Sequence, residues 1–235
     1  MAQLHKKKGP APFGKKAMRL LELSKRSAKR MLMSERMRMG MDNALIEAAK
    51  NGKNDKIKRL IKAGASITAK DKNGLAALYN AVRYGHTETC ALLIEKNKEA
   101  NGNVKRLIAV KGITGDTVLH RAADNGYTDI CKLLIQEYAK AGGDIRKIIN
   151  AKNDAGRTAL HLAATNIDTR TCALLMENGA DVTARDNFDN TPLDIAILNR
   201  RILPMRFLAP KLLEAIVGSE AFSQFMNFFG DCLAI

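Results

Sequence analysis

A leucine returns five times along this chain at nearly regular steps, and that recurrence constrains the fold more than any other feature. The anchors are Leu45, Leu78, Leu119, Leu160 and Leu193, separated by 33, 41, 41 and 33 residues. Three residues after each stands an alanine (Ala48, Ala81, Ala122, Ala163, Ala196), and fifteen after each a leucine (Leu60, Leu93, Leu134, Leu175, Leu208). The slot twelve after each anchor holds Ile57, Cys90, Cys131, Cys172 and Met205. A slot filled only by apolar or sulfur-bearing side chains is a core slot. Self-similarity at such a period marks a stacked array, in which each unit buries its apolar face against its neighbours.

The local grammar around each anchor is helical. Thr117, Thr158 and Thr191 precede apolar runs, as helix N-caps do. Pro192 follows its threonine at the first helical position, where a missing N–H costs nothing. Gly52, Gly85 and Gly126 fall seven after their anchors and predict left-handed helix ends. Ile167 and Arg200 take that place in the last two units, so those turns are expected to deviate. A second helix follows each first one, with Leu-Leu-Ile at 92–94 and 133–135. Pro204 would sit in the first turn of the last of these, where it is tolerated. The two 41-residue steps hold eight extra residues each, within Glu95–Lys111 and Gln136–Lys152. These should lengthen the second helix to Ala100 and Ala141 before Gly102 and Gly142-Gly143 break it. They read either as local elaboration of the outer helices or as an added contact ledge.

Several stretches carry a family signature: Asp71-x-x-Gly74, Thr117-Val-Leu-His120, Thr158-Ala-Leu-His-Leu-Ala-Ala164, the run from Leu174 to Val182, and Asn190-Thr-Pro-Leu193. Over residues 43–208 the chain resembles the ankyrin repeat family. The resemblance implies an all-α fold, a helix–turn–helix solenoid of about five repeats with short turn loops on one edge. The repeats are expected at 43–70, 71–111, 112–152, 153–186 and 187–208, two of them with eight-residue insertions, followed by a helical C-terminal cap over 209–235. It also implies that His120 and His161 bond the backbone of neighbouring turns, and that His86 is structural.

Function, on this resemblance, lies on the concave face and the turn tips, where a partner protein would be held. The tip candidates are Lys72, Asn73, Ile113, Asp154 and Phe188, with Arg157 just beyond a tip. The first-helix candidates are Lys50, Arg83, Tyr84, Asp124, Asn125, Thr165, Asn166, Leu198 and Asn199. Tyr84, Arg83 and Phe188 are the strongest anchor types among them. Phe188, a large apolar side chain at a tip, is covered either by a partner or by the last repeat.

The two ends do not repeat. Of a net charge of +15, most belongs to residues 1–42, which carry twelve basic and three acidic side chains. Residues 1–16 are expected to be disordered, and residues 17–40, without helix breakers, to form a basic helix. That arm reads as a solvated tail or capping helix, or as a surface for nucleic acid, an anionic membrane or a calmodulin-like partner. No secretory signal is legible. At the other end, Phe222, Phe225 and Phe229 follow helical spacing, which reads as an apolar cap or as a partner-docking helix.

Chemistry is hard to place anywhere. No phosphate-binding glycine loop, zinc-protease motif or nucleophile elbow occurs, and none of the four histidines pairs with a nucleophile. The cysteines lack close metal-site pairing. Those of the repeats lie a repeat apart, beyond disulfide reach, which predicts free thiols in a reducing, cytoplasmic compartment. The expectation is a non-enzymatic protein–protein interaction scaffold, with no cofactor, metal or small-molecule substrate. A host-directed effector of an intracellular bacterium, acting in host cytosol, is the setting the family suggests. The alternative is an adaptor whose basic arm holds nucleic acid or anionic membrane while the repeats hold a protein.

Overall fold

The computed structural model describes residues 34–167 and 169–218. The capped, apolar-periodic runs form helices: α1 (34–50), α2 (Asn54–Lys62), α3 (Ala77–Arg83), α4 (Thr87–Glu99), α5 (Val104–Ile108) and α6 (Val118–Asp124). They continue with α7 (Thr128–Lys140), α8 (Ile145–Ile149), α9 (Ala159–Ala163), α10 (Arg170–Glu177), α11 (Pro192–Leu198) and α12 (Ile202–Val217). Helix α3 packs on α6, α6 on α9 and α9 on α11, while α2, α4, α7 and α10 form a second row. The result is the expected all-α solenoid. Isolated antiparallel bridges, Lys70 with Ala76 and Lys111 with Thr117, pinch the bases of two turns. No helix among the described residues is long and apolar enough to cross a membrane.

The repeat slots fill the seam between the rows. Leu45, Leu78, Leu119 and Leu160 are buried, as are the five alanines three residues on. Cys90, Cys131 and Cys172 are buried thiols outside any disulfide, and burial pushes the thiols of Cys90 and Cys131 up to about 12. Leu193, Leu60 and Met205 are only partly buried, because the outermost repeats have a neighbour on one side.

A left-handed glycine ends the first helix in the first three repeats: Gly52, Gly85 and Gly126 all have positive φ. Gly85 adopts φ +75, and a Cβ there would come within 2.9 Å of the Tyr127 ring. The expected deviation at Arg200 does not occur. This residue takes the same left-handed conformation with φ +53, and the Arg201 N–H still donates to the Ala196 carbonyl. The packing of α11 on α12 holds a backbone state that arginine alone disfavours.

Histidines link one repeat to the next. The Thr117 N–H and hydroxyl donate to Nδ1 of His120, and the same pattern joins Thr158 to His161. The Nε2–H of His120 donates to the Arg157 carbonyl at 3.0 Å, and that of His161 to the Asn190 carbonyl at 3.0 Å. A carbonyl only accepts, so Nε2 carries a proton; Nδ1 accepts the threonine N–H and therefore carries none, so the ring is neutral. In α11 Asp194 replaces the histidine and closes the cap on Thr191.

The insertions do lengthen the second helices, to Glu99 and Lys140, with Ala100 and Ala141 as C-caps. They then add something the sequence did not disclose: the short helices α5 and α8, capped by Asn103 and Asp144. Val104, Leu107 and Ile108 of α5 are buried against α4 and α7. The apolar side chains of each insertion, Val104, Leu107 and Ile108 in the first and Ile148 and Ile149 in the second, therefore extend the core, while the other residues are mostly exposed or partly buried.

Both ends of the array join the flanking segments without a break. Helix α1 runs through residue 42, where the arm was expected to give way, and Gly40 lies inside it. Helix α12 runs through residue 208 into the segment expected to cap the array, with Pro204 in its first turn and Pro210 in its interior. Residues 1–33 and the phenylalanines from Phe222 onward lie outside the described residues.

Candidate functional site: the concave groove

The first helices and the turn tips share one face, because each tip leads directly into a first helix. Three of the tips are braced by their leading side chains. Oδ1 of Asp71 accepts the N–H groups of Asn73 and Leu75, Asn153 does the same for Ala155 and Arg157, and Asp186 for Phe188 and Asn190. Successive tips are also tied together. The Asp154 N–H donates to the Thr114 carbonyl, and the Asn187 N–H to that of Ala155. This edge is held in place before any partner arrives.

A concavity of about 650 Å³ lies between α1, the first tip and α3. It gathers five of the residues singled out from the sequence: Lys50, Lys72, Asn73, Arg83 and Tyr84. The Tyr84 ring is 45% exposed, with the Lys50 ammonium 5.8 Å and the Arg83 guanidinium 5.9 Å from its centroid. Leu75 and Ile46 supply a buried apolar floor, and Met39 lines the groove from α1. Sequence reasoning missed Met39, Ile46 and Lys70. The missing inference was that the basic segment before residue 42 and the first repeat form one helix.

The remaining candidates are spread along the face. Ile113 and Phe188 stand at tips, each 74% exposed, so Phe188 is not packed on the last repeat. Leu198, at 68%, and Asn199 are exposed at the end of α11. Asp154 is exposed at its tip. Others already serve the scaffold. Arg121 donates to Asp116 and Asp124 at 3.0 and 2.8 Å, and its Nε reaches the Tyr79 hydroxyl. Asn125 closes on the Arg121 carbonyl, and Thr165 on that of Leu162. Asn166 reaches back to the Ala123 and Asp124 carbonyls of the preceding repeat. Arg157 pairs at 3.1 Å with Asp186, whose side chain is fully buried. Burial pushes the Asp186 pKa up, but the Asn190 and Phe188 N–H groups and Arg157 outweigh it and hold it below the usual range.

Burial also pushes the pKa values of His120 and His161 below the ordinary range, against smaller upward effects of their carbonyl partners and nearby aspartates. Both rings are spent on inter-repeat bonds. No group of three His, Cys, Asp or Glu among the described residues is placed to hold a metal.

The sequence model for ankyrin repeats, three copies, matches residues 45–148 and 138–216. No curated protein matches the chain. The matched span covers most of the sequence and coincides with the capped helix pairs and the tied tips, and members of this family generally mediate protein–protein contacts. The chain belongs to the ankyrin repeat family.

Proposed function

We propose that this protein is a non-enzymatic scaffold that holds a partner protein on its concave face and turn tips. One observation carries the reading: Tyr84, Arg83, Lys50, Lys72 and Asn73, from two repeats and one tip, converge on a single groove. Tyrosine and arginine anchor interfaces out of proportion to their numbers. The face is braced by its own hydrogen bonds, so little ordering entropy is lost on association. The polar groups that could do chemistry, His120 and His161 above all, are engaged in the scaffold. A reducing, cytoplasmic setting is part of this reading and rests on buried thiols outside any disulfide, one in each of three repeats. The effector role rests on family analogy alone.

Site-directed photocrosslinking tests it. A photoreactive residue placed at Tyr84 or Phe188 should trap a partner from cell lysate, and one at Lys132, exposed on the outer row, should not. Adducts formed from Lys132 but from neither concave position would reject the reading.

A further inference from the structure

We propose that the groove between α1 and α3 receives an acidic segment of the partner protein. The inference rests on the concave-face reading and gives that site a chemistry. Four cations line the groove: Lys50, Lys70, Lys72 and Arg83. Among the described residues only Lys50 has a carboxylate partner, Glu47 at 3.7 Å, and both side chains are well exposed, where such a pair contributes almost nothing. The two acids in the lining are occupied. Asp71 accepts two backbone N–H groups within its own turn, and Glu47 accepts from Asn51.

The geometry at Tyr84 sharpens the argument. Lys50 and Arg83, two like charges, converge on one ring at nearly equal distances. A carboxylate entering beside the ring would offset this positive charge and accept charge-assisted hydrogen bonds from the cations that line the groove. The ring and the Leu75 floor would take an apolar side chain beside it. A nucleic acid fits less well. Stacking recognition needs several aromatic platforms, and this groove offers one.

The test uses the full-length, isotope-labelled protein and residue-resolved amide shifts, so that binding to the basic arm is read separately. Three probes are titrated: a short peptide rich in Glu with leucines interspersed, the same peptide with Gln for Glu, and a short oligothymidine. The Glu peptide should shift the amides of Lys50, Lys72, Arg83 and Tyr84 saturably, and the Gln peptide should bind there about tenfold more weakly. Arg83→Glu should cost the Glu peptide about tenfold and transfer preference to a Lys-rich peptide, with the amides of α9 and α11 unmoved. Should that variant fail to fold, Arg83→Gln with Lys72→Gln should give the same loss. Equal binding of the Glu and Gln peptides in the groove overturns the acidic assignment. So does oligothymidine binding as tightly as the Glu peptide, or the absence of shifts in the groove with any probe. None of these results touches the photocrosslinking outcome, so failure of the chemistry is distinguishable from failure of the concave-face reading.

Discussion

At the scale of single residues, the buried imidazoles carry the most information. His120 and His161 are neutral and fully buried, and each joins a threonine cap to the backbone of the next repeat. Their folded pKa values lie below the unfolded value of about 6.5. The unfolded chain therefore binds protons that the folded chain refuses. Their contribution is whole above about pH 6.5 and is lost as the pH falls below it toward the folded pKa. The melting temperature should drop between about pH 7.5 and 5.5, and His120→Gln with His161→Gln should flatten that slope, as a thermal melt series would show. A slope unchanged in the double variant would mean that other groups titrate. The cysteines make a second case. With thiols at about 12, Cys90 and Cys131 are essentially unionised near neutral pH. Alkylation mapped by mass spectrometry should leave both unlabelled in the native protein and label them once it is denatured. Arg200 supplies a third. Its left-handed φ favours glycine, so Arg200→Gly should raise stability by about 1 kcal/mol in urea titration.

At the scale of elements, the structure separates what the sequence discloses from what it hides. The helix pairs were legible because the leucine and alanine slots recur in all five units, with cap threonines in three and cap histidines in two. Helices α5 and α8 were not. Five residues such as Val104 to Ile108 are too short to show a period, and they form a helix because they are buried against α4 and α7. Leu107→Ala should therefore cost about 2–4 kcal/mol, close to the loss from truncating the repeat leucine Leu93. A loss under about 0.5 kcal/mol would make the insertion an ornament. The candidate site was half legible for a related reason. Register placed Tyr84, Arg83 and Lys50 on one face. Whether a side chain there is free or already bonded depends on partners far along the chain, as with Asn166 and Ala123. No slot rule discloses that.

At the scale of the whole molecule, each repeat touches only its neighbours, so stability is shared along a line. Hydrogen exchange should be slowest in α6 and α7, which are flanked on both sides, and faster in α2 and α11. Uniform protection from end to end would show that the array opens only as one unit. The same linear plan gives the uninterrupted α1 a consequence for encounter with a partner. That helix is anchored by Leu45 and Ala49 in the core, and its exposed turns begin at residue 34, about 15 Å along the axis from residue 44. Ten lysines and arginines among residues 1–33 are thus tethered covalently to a fixed point on the helix that walls the groove. Tethering sets a local concentration. An acidic ligand captured along that basic stretch would meet the groove as an intramolecular event, at effective concentrations that free solution would not supply.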